Sequence, residues 1–144
     1  MTGEIDAFKQ GFPDFLIYTG VAGLLLVIAT TIYILLTPWK ELALAKDKNS
    51  AAGLALAGAI MGLAIPLAAC LATSTSLLGL VIWGIVALLL QLIAYRVTDL
   101  LLRDLPKRIE EDQIGPAIVL IAAKLSSAIL LAAGLWDPNF HNLV

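Results

Sequence analysis

The sequence predicts an all-α membrane protein with four transmembrane helices, arranged as two repeated helical hairpins with both termini on the outer side. Hydrophobic residues make up 60% of the 144 positions, charged residues only 14%, and the mean hydropathy is +0.96. Soluble domains average about 45–50% apolar and about 25% charged residues. The apolar residues also form four continuous runs, each close to the roughly 20 residues that a helix needs to cross the hydrocarbon layer.

These runs cover about residues 15–37, 51–72, 77–98 and 115–136. They are continuous and long, whereas the strands of a β-barrel alternate and need about 10 residues. The acidic segment before the first run lacks the basic flank of a signal peptide, so this run is predicted to stay as a helix. The predicted organisation is an outer segment at 1–14, a transmembrane domain at 15–136 and an outer tail at 137–144.

Basic residues predict the orientation, because cytoplasmic loops carry an excess of lysine and arginine. Lys9 alone lies on the side of the termini. The loops after the first and third spans, with the ends of those spans, contain Lys40, Lys46, Lys48, Arg96, Arg103, Lys107 and Arg108. Both loops are therefore predicted to be cytoplasmic, in a multi-pass membrane protein with both termini outside. Aromatic belts are then expected from Trp39 and Tyr95 inside and from Tyr18 and Trp136 outside.

The two halves, about 15–72 and 77–136, share the order of apolar span, charged loop and apolar span. A shift of 63 positions lays Lys40 on Arg103 and Ala59 on Ala122. Because both halves begin outside, this pattern predicts a parallel duplication about an axis along the membrane normal.

The charged loops are predicted to be short helical extensions rather than flexible linkers. In the second loop Asp99 precedes Arg103 by four residues, and Pro106 is expected to end or kink a continuation of the third span. One interpretation is a solvated surface. The other is a cytoplasmic site that docks a protein or binds a lipid headgroup, made of Lys40, Arg96, Asp99, Arg103, Lys107 and Arg108.

A more specific pattern begins before the second span, with Lys48-Asn49-Ser50-Ala51-Ala52-Gly53 and later Ile65-Pro66-Leu67. Trp83-Gly84 and Leu90-Gln91-Leu92 follow in the third span. In these motifs the chain resembles the YjfL-like family of bacterial inner-membrane proteins, catalogued as domain of unknown function 350, over about residues 18–136. Residues 112–116 depart from the Asn-Thr-Ala-Ala-Gly pattern of that family.

The resemblance implies four helices in two duplicated hairpins, and it implies no reaction. Family members are encoded near membrane-stress proteins of the phage-shock type and near ATP-grasp ligases, so the resemblance points only to partners. Lys124 is not matched to a position of the family.

Lys124 is the strongest candidate for a functional residue, since it lies about 14 Å into the fourth span. A lysine at the centre of a membrane helix costs about 2.5–3.5 kcal/mol and must face protein or water. No acidic residue is expected at this depth, so Lys124 is predicted to be neutral, to be solvated by polar groups, or to meet an anion. A structural role, by snorkelling or by packing across helices, stays open. The predicted intramembrane polar layer consists of Lys124, Gln91, Thr30, Thr31, Ser126 and Ser127.

Small residues at helical spacing predict close helix packing, at Gly58 and Gly62 in the second span and at Gly84 and Ala87 in the third. Whether the partner helices belong to the same chain or to another copy is left open. Pro66 is a candidate hinge, with bent packing as the alternative. Cys70 is predicted to be a buried small residue.

The composition also excludes several classes of function. One cysteine and one histidine, His141, exclude a cysteine/histidine zinc set, and a net charge of -2 provides no basic field for nucleic acid. The sequence has no Ser/His/Asp arrangement and no paired carboxylates at membrane depth, so neither an enzyme nor a cofactor is expected.

Two hypotheses follow. The first is an oligomeric channel or transporter for a small ion or solute, using the polar layer around Lys124 and Gln91, where a lysine would favour anions. The alternative is a non-catalytic scaffold, or a membrane-stress accessory protein, whose cytoplasmic loops recruit a soluble protein. The expected partners are membrane lipids, further copies of the chain and a soluble cytoplasmic protein.

Overall fold

The computed structural model describes residues 1–38, 40–73 and 76–136, and every regular element in these ranges is an α-helix. Four of the helices are long and apolar enough to cross a membrane. The predicted all-α class with four spans is therefore confirmed. In chain order the elements are α1 (Thr2–Leu36), α2 (Glu41–Lys46), α3 (Ser50–Ala72), α4 (Leu77–Leu102), α5 (Leu105–Glu110) and α6 (Ile114–Leu135).

α1 begins well before the predicted span, because residues 2–14, which include Glu4, Asp6 and Asp14, continue the same helix. A helix of 35 residues is about 52 Å long, which exceeds the roughly 30 Å hydrocarbon layer. The rings of Phe8 and Phe12 stack on its exposed surface with centroids 4.9 Å apart. α1 therefore extends beyond the membrane on the N-terminal side.

α3 is the central helix, and its most extensive contact is with α6. Half of its most apolar window is buried, against 11% for α1, which lies at the edge of the bundle. Its N-terminus is capped by Asn49, whose Oδ1 accepts a hydrogen bond from the amide of Ala52 at 2.8 Å. The small residues of α3 explain its central position, because they let neighbouring helices approach its backbone.

The predicted packing glycines face helices of the same chain. A Cβ on Gly58 would lie 2.9 Å from Cγ1 of Ile121 in α6, and one on Gly62 would lie 2.6 Å from Cδ of Gln91 in α4. Gly84 is looser, with Leu67 at 3.6 Å, and Ala87 is buried. The sequence left open whether these residues pack against the same chain or another copy; in the structure their partners belong to the same chain.

α3 runs unbroken past Pro66, which is buried, so a hinge there stays a prediction. Cys70 is buried, as predicted, at the end of the bundle away from the short helices. It joins an apolar cluster with Leu67, Leu80 and Leu135. This end of the bundle is closed by hydrocarbon side chains.

The prediction that Pro106 ends or kinks a helix was wrong. α4 ends at Leu102, the chain turns at Arg103 and Asp104 with φ of 48° and 54°, and Pro106 lies in the first turn of α5. A proline suits that position because the first turn needs no intrahelical N–H donor. The carboxylate of Asp99 accepts the amide of Leu105 at 3.1 Å and so holds the start of α5.

The two halves share the order of long helix, six-residue helix and long helix. Their loops also share hydrogen bonds: the amide of Lys48 donates to Ala45, and that of Asp112, 64 positions later, donates to Ile109. Both donors have positive φ, 67° and 59°. The correspondence in these loops is thus 64 positions, one more than the alignment of the sequence suggested. Duplication itself stays a prediction.

Candidate functional site

Lys124 lies in the middle of α6, about 15 Å from the start of that helix, and none of its surface is exposed. Its Nζ donates a hydrogen bond to the carbonyl oxygen of Ala55 in α3, at 3.2 Å. The side chain therefore neither faces lipid nor snorkels to the surface. It reaches across the α3–α6 contact into the centre of the bundle.

The aromatic ring of Tyr33 lies on the other side of the ammonium group, with its centroid 4.3 Å from Nζ of Lys124. Tyr33 is itself fully buried and is contributed by α1. A cation over the face of an aromatic ring is stabilised by the ring quadrupole, and more strongly where water is excluded. Among the described residues, the hydroxyl group of Tyr33 has no hydrogen-bond partner.

The residue that the sequence reasoning missed is Glu41, the first residue of α2. It was expected to lie on a solvated loop, yet it has no exposed surface. Its carboxylate interacts electrostatically with Lys124. No acidic residue was expected at the depth of Lys124, and Glu41, which α2 carries inward by folding back against the bundle, was not among the candidates.

A signal for this burial was present in the spacing of α2. Glu41 precedes Leu44 by three residues and Ala45 by four, so all three share one face of the helix. Leu44 packs against the buried core cluster, and the Cβ of Ala45 lies near Gly53. A glutamate on the apolar face of a short helix points toward the core, whatever the charge of its neighbours.

Tyr95 of α4 completes the cluster and is 2% exposed. The carboxylate of Glu41 interacts electrostatically with both Tyr95 and Tyr33. Four titratable side chains from four helices are thus linked by these interactions, and a backbone carbonyl from α3 accepts a hydrogen bond from Lys124. We call this set, Tyr33, Glu41, Tyr95 and Lys124, the buried cluster.

Gln91 joins the backbones of α3 and α6 beside the buried cluster. Its Nε2 donates to the carbonyl oxygens of Gly62 and Lys124, both at 3.2 Å, and lies 3.5 Å from Oγ of Ser127. Ser127 in turn donates to the carbonyl oxygen of Lys124 at 2.8 Å. The structure therefore brings together Lys124, Gln91 and Ser127 of the predicted polar layer.

The other members of that layer lie elsewhere. Thr31 is exposed, and its hydroxyl group donates a hydrogen bond to the carbonyl oxygen of Val27 in the same helix, at 2.8 Å. Ser126 is exposed, and Thr30 is half-buried. Residues at the same depth can lie on different faces of a helix. Equal depth alone therefore did not bring these hydroxyl groups to Lys124.

The predicted cytoplasmic residues differ in how firmly they are held. Lys40, Arg103 and Lys107 are exposed. Arg108 is held by hydrogen bonds to Gln113 at 2.9 Å and to the carbonyl oxygen of Leu102 at 3.1 Å. Arg96 is exposed and lies over the ring of Tyr95, 5.5 Å from its centroid.

The predicted aromatic belts are only partly described. Tyr95, expected at the membrane interface, is buried inside the bundle instead, because its position in α4 faces the interior. Tyr18 is half-buried and Trp136 is exposed. Trp39 and the tail at 137–144, with His141, lie outside the described residues.

Two side chains position the loop that carries Glu41. Nδ2 of Asn49 donates to the carbonyl oxygens of Ile109 at 2.9 Å and Glu110 at 3.1 Å, at the end of α5. Oδ1 of Asp112 accepts the amide of Ala51 at 2.8 Å. These bonds tie the start of α3 to the second loop, while Leu44 packs α2 against the buried core.

The site combines a proton donor and a proton acceptor of opposite charge, the ammonium group of Lys124 and the carboxylate of Glu41. An ammonium group, a carboxylate and two phenol groups can hold and exchange protons, or face a small ion. Across the described ranges, no group of three His, Cys, Asp or Glu side chains is arranged to hold a metal ion.

Comparison with known proteins places these residues in a family context. The family described as "Domain of Unknown Function (DUF350)" matches residues 7–135. The chain is 31% identical over 116 residues to the UPF0719 inner membrane protein YjfL of Escherichia coli strain K12, covering 81% of this chain and 86% of that protein. It is 25% identical over 132 residues to the UPF0719 transmembrane protein YshE of Bacillus subtilis strain 168, covering 90% and 98%. No solved structure matches the chain.

Proposed function

Because this chain belongs to the DUF350 family of multi-pass inner membrane proteins, we propose that it moves a small ion across that membrane at the buried cluster. The proposal is non-catalytic: the protein is a transporter or channel rather than an enzyme.

The observation that carries this proposal is the complete burial of two opposite charges, Glu41 and Lys124, inside a bundle of four candidate membrane-spanning helices. Removing two charges from water costs several kcal/mol per ion, and replacing such a pair with apolar residues is often neutral or stabilising. A pair kept inside a membrane bundle therefore has a use other than stability. Intramembrane ionisable residues characteristically mark ion pathways and proton relays.

Glu41 also changes the expected selectivity. A lysine alone would favour anions, but a carboxylate facing it cancels the local positive charge. The site therefore offers no net charge to attract an anion from solution. Selectivity must come from the chemistry of the two groups and not from the sign of a field.

The orientation and assembly are part of the same proposal. The excess of lysine and arginine in the loops that hold α2 and α5 favours a cytoplasmic location for them, with both termini outside. We extend the proposal to a homo-oligomer, since four helices provide only a narrow interior, which the side chains of the buried cluster occupy. Reporter fusions at each terminus test the orientation, and light scattering in detergent tests the assembly.

The test of function is ion flux into proteoliposomes that contain the purified full chain. Lys124→Met alone would remove the charge facing Glu41, so loss of flux could reflect misfolding. The informative variant is therefore Glu41→Gln/Lys124→Met, which neutralises both partners together. Its matched control is Glu110→Gln/Lys107→Met, which removes the same two charges from exposed positions on α5.

Wild-type protein and the control should both give flux under gradients of proton, potassium or chloride, and the buried double variant should give none. No flux for any ion, with monodisperse wild-type protein in the vesicles, would exclude the proposal. Flux that is equal in all three proteins would show that the pathway does not pass the buried cluster.

A scaffold is the second candidate, supported by the rigid display of basic residues on α5. Arg108 is held by two hydrogen bonds, while Lys107 and Arg103 point into solvent beside it. Such a surface suits an acidic soluble protein. Arg103→Glu/Lys107→Glu should abolish binding of that protein without changing flux, whereas the buried double variant should leave binding intact.

A further inference from the structure

We infer that the ion is the proton, and that Glu41 and Lys124 carry it by exchanging it between carboxylate and amine. This inference rests on the proposed function and names the substrate of the same site. It is argued from the groups that face one another in the buried cluster.

Every long helix of the bundle contributes to the surroundings of this pair. α1 contributes the phenol of Tyr33, α4 the phenol of Tyr95, and α3 the carbonyl oxygen of Ala55 that accepts from Lys124. Asp99 and Arg96 interact with Tyr95 at the edge of the cluster. The titratable groups that face the pair are thus two phenols, with one acid and one arginine behind Tyr95.

This arrangement favours a proton over other small ions. A metal cation entering the cluster would lie beside an ammonium group, and an anion would lie beside a carboxylate, so each meets a like charge. The carbonyl oxygen of Ala55 and the ring of Tyr33 are already engaged by Lys124. A proton needs no additional space, because it resides on the groups that are present.

The exchange balances without any further reactant. A proton from one side binds the carboxylate of Glu41 and leaves a carboxylic acid beside the ammonium group of Lys124. Lys124 then releases a proton toward the other side, which breaks one N–H bond and leaves a neutral amine. Once the two side chains come within hydrogen-bond distance, the O–H bond of Glu41 breaks as a new N–H bond forms on Lys124, which restores the carboxylate and the ammonium group. One proton has crossed.

The structure shows the site closer to the side of the short helices. Glu41 lies on the six-residue α2 and faces the bundle, while Leu42, Ala43 and Lys46 of the same helix line a cleft of about 530 Å³. Toward the other end, the apolar cluster around Leu67 and Leu80 closes the bundle. A proton therefore reaches Glu41 only when α2 moves, and Lys124 releases one only when the apolar end opens.

The experiment follows internal pH in proteoliposomes that contain the full chain and a trapped pH-sensitive dye. A potassium gradient with valinomycin sets the membrane potential and drives proton entry. Wild-type protein is compared with Glu41→Gln and with Glu110→Gln, a matched change of an exposed glutamate on the other six-residue helix. Glu41→Asp tests whether a shorter carboxylate restores exchange.

Glu41→Gln should lower the rate of pH change by about tenfold or more, while Glu110→Gln should leave it unchanged and Glu41→Asp should retain part of it. The wild-type rate should also persist when chloride is replaced by gluconate. An infrared titration of the reconstituted protein should show a protonated carboxyl band that Glu41→Gln removes and Glu110→Gln keeps.

Two results would overturn the inference in different ways. Chloride or potassium flux without a change of internal pH, equal in wild type and Glu41→Gln, would refute the proton while leaving ion transport in place. Absence of any flux in monodisperse wild-type protein would refute the proposed function and the inference together. If Glu41→Gln fails to fold, the persistence of the wild-type rate in gluconate and the reduced rate of Glu41→Asp still decide the question.

Discussion

The ammonium group of Lys124 lies 4.3 Å from the ring centroid of Tyr33, and neither residue has exposed surface. This contact joins the peripheral helix α1 to α6 at the buried cluster. Together with the hydrogen bond from Lys124 to Ala55, it places the ammonium group between α1 and α3, which contact it with an uncharged ring and a backbone carbonyl. The opposite charge comes from α2, a helix too short to be stable without the bundle.

The first prediction separates the ring of Tyr33 from its hydroxyl group. Tyr33→Phe should leave the free energy of unfolding unchanged or slightly raised, because the buried hydroxyl has no hydrogen-bond partner among the described residues. Tyr33→Leu should lower it by about 2 kcal/mol or more, since the cation–π contact is lost in a desolvated site. Denaturant titration in detergent measures both, with the half-buried Tyr18→Leu as the control. Equal effects of Phe and Leu would contradict the role of the ring.

The second prediction concerns the stability of the buried pair. Lys124→Met should lower the free energy of unfolding by about 3–5 kcal/mol, because it removes the charge that faces Glu41. Glu41→Leu/Lys124→Met should recover most of that loss, since two apolar side chains need no desolvation of charge. Thermal unfolding of single and double variants tests this coupling. Additive losses would show that the two residues do not depend on each other.

The third prediction tests the close approach at Gly62. A Cβ there would lie 2.6 Å from Cδ of Gln91, so Gly62→Ala should lower the free energy of unfolding by about 1–3 kcal/mol through overpacking. Gly62→Ala/Gln91→Ala should lose less than the sum of the two single changes, because the shorter side chain vacates the space. Gly20→Ala is the control: no atom lies within 4 Å, and alanine raises helix propensity. Additivity in this cycle would count against the contact.

The fourth prediction compares two residues with positive φ in corresponding positions of the two loops. Lys48→Gly should stabilise the protein by up to about 1 kcal/mol, because φ of 67° suits glycine. Asp112→Gly should not, although its φ is 59°, since it also removes the carboxylate that accepts the amide of Ala51. Hydrogen exchange at the start of α3 should accelerate only in the second variant. Equal stabilisation would mean that the bond to Ala51 contributes nothing.

Parts of the fold could be predicted because the information is local. Length and hydropathy identify each span without reference to any other, and the spacing of Gly58 and Gly62 identifies a face for close packing. The depth of Lys124 in α6 likewise follows from counting residues. Pro106 was misplaced because a proline both terminates one helix and suits the first turn of the next, and the sequence does not distinguish these positions.

Hydropathy and residue spacing specify a membrane protein of four helices, with a lysine and a glutamine at the same depth. The surroundings of that lysine depend on contacts between helices that are distant in the chain. Tyr33, Tyr95 and Glu41 come from three different helices, and their meeting depends on which face each helix turns inward. A glutamate in a charged loop is predicted to be exposed to solvent, because charged segments of a sequence usually lie on the surface. The spacing of Leu44 and Ala45 puts Glu41 on the apolar face of α2, but its burial requires α2 to fold back on the bundle, a long-range contact that the local sequence does not specify.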